Sequence, residues 1–223
     1  IIAVAEAGGD VIILGVLPLV CVADAVHHEE IDIHAVALRG ALGFLFEVGQ
    51  RVGVEDAAFV PQEAQGVDLL VVALKYGSLP GALESIKTAV GSNTVVMSLM
   101  NGVDSEELIA AQVGAGHLLY SFIKVTSHKE ADGYHFDPDA TLGVIYGERF
   151  APFESERVKA VRELFMDSRV NFRVTEHIRE EMWSKFRLNV CNNLPQAILG
   201  AGVGCYRDSV HMKAISDGLR REL

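Results

Sequence analysis

Cysteine is scarce in this chain of 223 residues. Cys21, Cys191 and Cys205 are an odd number with no C-x-x-C spacing. That favours a reducing compartment and speaks against a zinc site. Basic residues are also thin: 19 Lys and Arg against 30 Asp and Glu leave a formal charge of -11. Nucleic-acid binding rests on clustered cations, so no nucleic-acid partner is expected. The longest apolar run, Val11 to Ala23, is too short for a bilayer and is broken by Gly15 and Pro18. No membrane partner is expected. No Lys or Arg precedes Arg39, so the basic start of a signal peptide is missing and a cytoplasmic location is expected. His27 and His28 diverge by about 100° on a helix and no second cluster supports them, so no metal is expected.

Half of the residues are hydrophobic, and their arrangement carries the fold. Val11 to Leu14, Leu69 to Leu74 and Thr94 to Leu99 are short runs apolar on both faces, as suits a parallel sheet covered by helices. Ile31 to Leu38 is another strand candidate. A helix is expected from about Leu79 to Val90, opened by Ser78 and Pro80 and closed by Gly91. Asp104 and Glu107 have the spacing of a capping box for the next helix. This rhythm predicts an α/β, doubly wound sheet. From His117 to Tyr146 short strand-like pieces follow, with turn signals at Ala131-Asp132-Gly133 and Asp137-Pro138-Asp139. Next come a helix from about Phe153 to Met166 and a strand around Asn171 to Val174. After Thr175 everything reads as helical. The expected organisation is an unassigned leader over 1–10, a dinucleotide-binding domain over 11–174 and the opening of a helical domain over 175–223, cut short.

The strand exits carry the candidate chemistry. A dinucleotide site needs a strand, then G-x-G-x-x-G, then a helix whose N-terminus faces the pyrophosphate. In VIILGVLPLV, Gly15 fills the first position, but Leu17 and Val20 occupy the other two. Arg39 ends the next strand candidate 24 residues past Gly15, where an arginine accommodates the 2′-phosphate of NADP. Lys75 and Asn101 leave two further apolar strands at the edge where open α/β sheets bind ligands. A second register stays open. Residues 5–10 followed by Val11 to Leu14 also read as a helix running into the second strand, which places the glycine loop before Ile1 and removes the roles of Gly15 and Arg39.

The last signal is EMWSKFRLNVCNN. On an ideal α-helix Lys185, Asn189 and Asn193 fall within about 80° of one another, an amine and two amides on one edge. Asparagine is a poor helix former and an odd choice for a mere solvent face.

Together the sheet rhythm, Arg39, ALKYG, MNG and EEMWSKFRLNVCNN resemble the ketopantoate reductase family, the NADPH-dependent 2-dehydropantoate 2-reductases. Its W-x-K-x-x-x-N-x-x-x-N pattern is matched by Trp183, Lys185, Asn189 and Asn193. The resemblance implies a Rossmann domain followed by a helical one, and reduction of a 2-keto acid in pantothenate synthesis, with a homodimer as the assembly. It implies Lys185 as the general acid, with Asn189 and Asn193 on the substrate. Arg39 and Lys75 would hold NADPH, and Asn101 would serve both cofactor and substrate. Leu17 and Val20 depart from the family's glycines. The rival reading is a non-catalytic Rossmann-type binding module that has lost its phosphate loop.

Overall fold

The computed structural model describes residues 11–16, 19–24, 66–125, 127–130, 133–136, 141–166 and 171–223, with backbone alone at 11–16, 19–24, 127–130 and 133–136. Two compact units divide the chain between Ile178 and Arg179.

The first unit is built on a sheet of order β1-β2-β3-β4: Val11–Val16, Leu19–Asp24, Leu69–Ala73 and Val95–Ser98. β2, β3 and β4 are parallel, and β1, at the edge among the described residues, is antiparallel to β2. All five residues of β3 are buried, which is why LLVVA is apolar at every position and not only at alternate ones. Leu69, Val71 and Ala73 point into a core completed by Met97, Leu119 and Tyr146 and by Val158, Val161 and Phe165 of helix α3 (Glu156–Met166). Helix α1 (Leu79–Ala89) buries Ala82, Ile86 and Ala89 outside that core, as a helix on the opposite face of a doubly wound sheet does. Burying Ile86 completely contributes about 1.5–3 kcal/mol of transfer free energy. Pro80 sits in the first turn of α1, where its missing N–H costs no helical bond. The fold is therefore the expected α/β class, a Rossmann-type parallel sheet followed by helices.

Helix α2 (Ser105–Val113) follows β4. A second sheet of order β5-β8-β9 (Tyr120–Lys124, Gly143–Gly147 and Phe172–Val174) lies beyond it, with the hairpin β6-β7 (Ser127–Glu130 and Gly133–Phe136) between. A bridge from Val96 to Leu118 and a bond from Leu119 N–H to the Val96 carbonyl tie the chain entering β5 to β4. Gly143 has φ +74, and a Cβ there would stand 1.7 Å from the Asn171 carbonyl oxygen, so only glycine lets β8 and β9 approach.

Two expectations change. The segment after Gly15 is a strand and not a helix: Gly15 pairs across β1 and β2 with Val20, so no helix N-terminus follows it. Alternating chain direction explains this, because Val11 to Val16 returns beside β2 as an antiparallel hairpin arm and not as a parallel strand feeding a crossover. Second, the capping box is not made. Asp104 stands at the N-cap of α2 without capping by its side chain, for reasons given below. Ile31 to Leu38 and Arg39 lie outside the described residues.

The second unit is built of helices joined by short turns. α4 (Ile178–Leu188) enters it and runs into a π-helical turn at Asn189–Asn193, then α5 (Leu194–Leu199), α6 (Cys205–Asp208) and α7 (Val210–Glu222). The π turn packs on α7, as do α5 and α6. Gly200, in the left-handed region at φ 61, ends α5.

Candidate active site

In the first unit, the polar residues expected at strand exits lie where the parallel register puts them. Leu99 N–H bonds to the Val72 carbonyl, which carries the β4 exit alongside that of β3. Lys75 and Asn101 are both exposed at these neighbouring exits. Tyr76 Oη donates to Asp104 Oδ2 at 2.8 Å and so ties the loop after β3 to the start of α2. That bond takes the Asp104 carboxylate that would have capped α2. Glu107, the other half of the expected box, accepts from Arg149 Nη1 at 2.9 Å. Asp104 still supplies its backbone carbonyl to the N–H groups of Glu107 and Leu108. Gly102, at φ 118, makes the turn between Asn101 and Asp104 in a conformation that favours glycine.

Beneath this turn is a buried polar chain that sequence reasoning missed. Ser105 Oγ donates to Glu106 Oε2 at 2.9 Å, and Ser98 Oγ bonds to Ser105 Oγ at 2.8 Å, with Ser98 the donor. Ser121 Oγ donates to the Ser98 carbonyl at 2.8 Å. Glu106 is 1% exposed. Burial pushes its carboxyl up to about 7, against hydrogen bonds from its own N–H, from Ser105 and from the Ser121 N–H. The available signal was the pair of serines flanking the Asn101-Gly102 turn, too common in loops to single out.

In the second unit, Lys185 is half-buried with its Nζ out of solvent. Asn193 Nδ2 donates to Asn189 Oδ1 at 2.9 Å, so the two amides meet as a pair. The helix carrying them is wider than expected: Leu194 N–H bonds to the Asn189 carbonyl five residues back. Pro195 is the cause. It has no N–H to donate, and in an α-helix its ring would strike the carbonyl four residues earlier, that of Cys191. An extra residue in the turn relieves both problems. Trp183 and Phe186 stack edge to face at 5.7 Å on α4.

Of the residues singled out from the sequence, the fold brings Lys75 and Asn101 to adjacent exits and joins Asn189 to Asn193. Lys185 lies one turn before the pair on the same helical run. Gly15 sits within a strand and not at a strand-to-helix turn.

A parallel sheet with helices on both faces and polar side chains at its strand exits, joined to a helical unit, defines a Rossmann-type α/β protein. Residues 18–141, more than half of the chain, match the family model described as ketopantoate reductase PanE/ApbA, and the chain belongs to that family. Gly15 lies before the matched segment, and Lys185, Asn189 and Asn193 lie after it. A 2-dehydropantoate 2-reductase from Streptococcus pyogenes is 26% identical over 162 residues, covering 72% of this chain and 50% of its own length. The crystal structure of 2-dehydropantoate 2-reductase from Geobacter metallireducens GS-15 is similar with a TM-score of 0.62 and 25% identity, over 73% of this chain and 53% of that one. A dimeric ketopantoate reductase from Staphylococcus aureus shares the fold at 13% identity and a TM-score of 0.58, over 73% of this chain and 57% of that one. The chain thus spans about half the length of the curated relatives it matches.

Proposed function

We propose that the protein is an NADPH-dependent reductase of a 2-keto acid, 2-dehydropantoate by preference, acting in pantothenate synthesis. The observation that carries this reading is the asparagine pair, Asn189 bonded to Asn193, following Lys185 on one helical run in a chain of this family.

The cofactor's fit rests on the donor set at the sheet edge. An ammonium at Lys75, an amide at Asn101 and the backbone of two exposed turns suit a phosphorylated, hydroxyl-rich ligand. Lys75 and Asn101 hold the cofactor there, and Arg39, which its spacing from Gly15 no longer places once Gly15 pairs inside a strand, is given the 2′-phosphate by the family resemblance alone. NADPH supplies the hydride that reaches the keto carbon.

As the carbonyl becomes a hydroxyl, its oxygen needs one proton, and Lys185 gives it from the ammonium. The out-of-solvent position of Nζ makes both the proton and its charge more effective on a developing alkoxide. Asn189 and Asn193 hold the polar groups of the hydroxy acid, and Asn101 contacts both cofactor and substrate. The relative from Staphylococcus aureus is dimeric, and a homodimer is the assembly this reading favours. Among the described residues no helix is long and apolar enough to cross a membrane. A cytoplasmic location accords with the sequence.

Fluorescence titration with NADPH and NADH tests the cofactor half. Arg39→Ala removes a charge-assisted contact, so NADPH binding weakens about tenfold or more while NADH binding barely changes. Equal losses for both cofactors would remove Arg39 from phosphate recognition. Absence of binding to either in the parent protein would favour the non-catalytic alternative.

A further inference from the structure

The π turn does not stand unsupported. Pro195 removes one backbone donor from the helix ladder, the one an α-helix would aim at the Cys191 carbonyl, so a partner from outside the turn is favourable. Tyr206, from α6, supplies that partner: its Oη donates to the Asn192 carbonyl at 2.5 Å and lies 3.5 Å from the Cys191 carbonyl. Gln196 Nε2 adds a bond to the same Asn192 oxygen at 3.0 Å. The Asn192 side chain is held separately, its Oδ1 accepting from Arg220 Nη2 at 3.0 Å and from Ser216 Oγ at 3.3 Å, both on α7.

The geometry has a consequence for the two amides. In an α-helix residues four apart are offset by about 40° around the axis, whereas at about 4.4 residues per π turn the offset is about 33° in the opposite sense, so the width of the turn sets on which side the two side chains meet. Asn189 and Asn193 are the first and last residues of the turn, and their side chains meet at 2.9 Å. Whatever fixes the width of the turn therefore fixes the pair. Asn192 and Cys191, whose carbonyls face Tyr206, are two of the three residues between them.

We propose that Tyr206 is a positioning residue for the asparagine pair: its hydroxyl, by occupying the carbonyls of the π turn, holds the turn from which Asn189 and Asn193 reach the substrate. This inference rests on the reading of Asn189 and Asn193 as substrate contacts. On this proposal Tyr206 acts on the substrate through the pair and not directly.

Tyr206→Phe deletes one oxygen and keeps the ring, so the variant tests the hydroxyl alone. Two measurements on the full chain, against the parent, separate its role from a general loss of folding. Hydrogen exchange followed by mass spectrometry should show faster exchange across Asn189 to Leu194, by threefold or more. Steady-state kinetics with NADPH and 2-dehydropantoate should show KM for the keto acid raised roughly three- to tenfold, the usual effect of losing one hydrogen bond. The Kd for NADPH should stay within twofold of the parent, because Lys75 and Asn101 are untouched. Unchanged exchange would overturn the proposal at its first step, and faster exchange with unchanged KM would overturn it at its second. A parent protein that binds NADPH but reduces no keto acid would instead defeat the functional reading, and the exchange data would then decide whether Tyr206 holds the turn.

Discussion

Tyr76 Oη donates to Asp104 Oδ2 at 2.8 Å, and this one bond joins the loop that carries Lys75 to the helix start that follows Asn101. The carboxylate that accepts the bond also raises the affinity of the tyrosine for its own proton, so the hydroxyl remains a donor. Tyr76→Phe should loosen the two loops relative to each other and weaken NADPH binding about two- to tenfold without altering the thermal midpoint appreciably. Fluorescence titration beside a melting curve checks it; unchanged affinity would show that the two exits are held without this bond.

Glu106 makes a pH prediction whose sign is fixed by its burial. Its carboxyl titrates at about 7 in the fold against an ordinary 4.5, so between those values the folded protein keeps a proton that the unfolded chain releases. Stability from this group is therefore highest below about pH 4.5 and declines as pH rises to about 7. Glu106→Gln has no such slope, and the variant should gain stability relative to the parent between about pH 5 and pH 8. Urea unfolding of both proteins at the two pH values is the measurement. Parallel changes in the two would contradict the assignment.

The ion pair of Glu148 with Arg157 gives the largest expected stability effect. The Glu148 side chain is 1% exposed; it accepts from Arg157 Nε and Ser155 Oγ, each at 2.6 Å, and pairs with Arg157 Nη2 as well. Burial alone would push this carboxyl up, but the hydrogen bonds of Arg157 and Ser155 together with the Arg157 charge hold it below its ordinary value. Arg157→Met should cost about 3–5 kcal/mol, because it leaves a buried carboxylate unpaired. Adding Glu148→Gln should recover part of the loss. A single-variant loss of about 1 kcal/mol or less, as for an exposed pair, would show that the site admits water.

The fold was legible wherever one signal dominated. LLVVA announces a buried parallel strand because nothing polar interrupts it, VVMS reads the same way up to its closing Ser98, and Ser78-Leu79-Pro80 opens a helix because proline fits its first turn. Legibility ends where a side chain has two suitors. Asp104 and Glu107 have capping-box spacing, but Tyr76 and Arg149, 28 and 42 residues away along the chain, take their carboxylates. Gly15 suggested a turn because strand direction, parallel or antiparallel, is not written in a short apolar run. For the site, the spacing of Asn189 and Asn193 was visible, and the π turn between them was not. An ideal helix was assumed, although Pro195 already stood where an α-helix would strain.

The account turns on Lys185 as the proton donor. Steady-state reduction of 2-dehydropantoate by NADPH, measured for the parent and for Lys185→Ala under saturating cofactor, tests it most directly. The account predicts kcat lowered by roughly a hundredfold or more with NADPH affinity kept, the usual range for a positioned general acid. A variant whose kcat stays near that of the parent would contradict it.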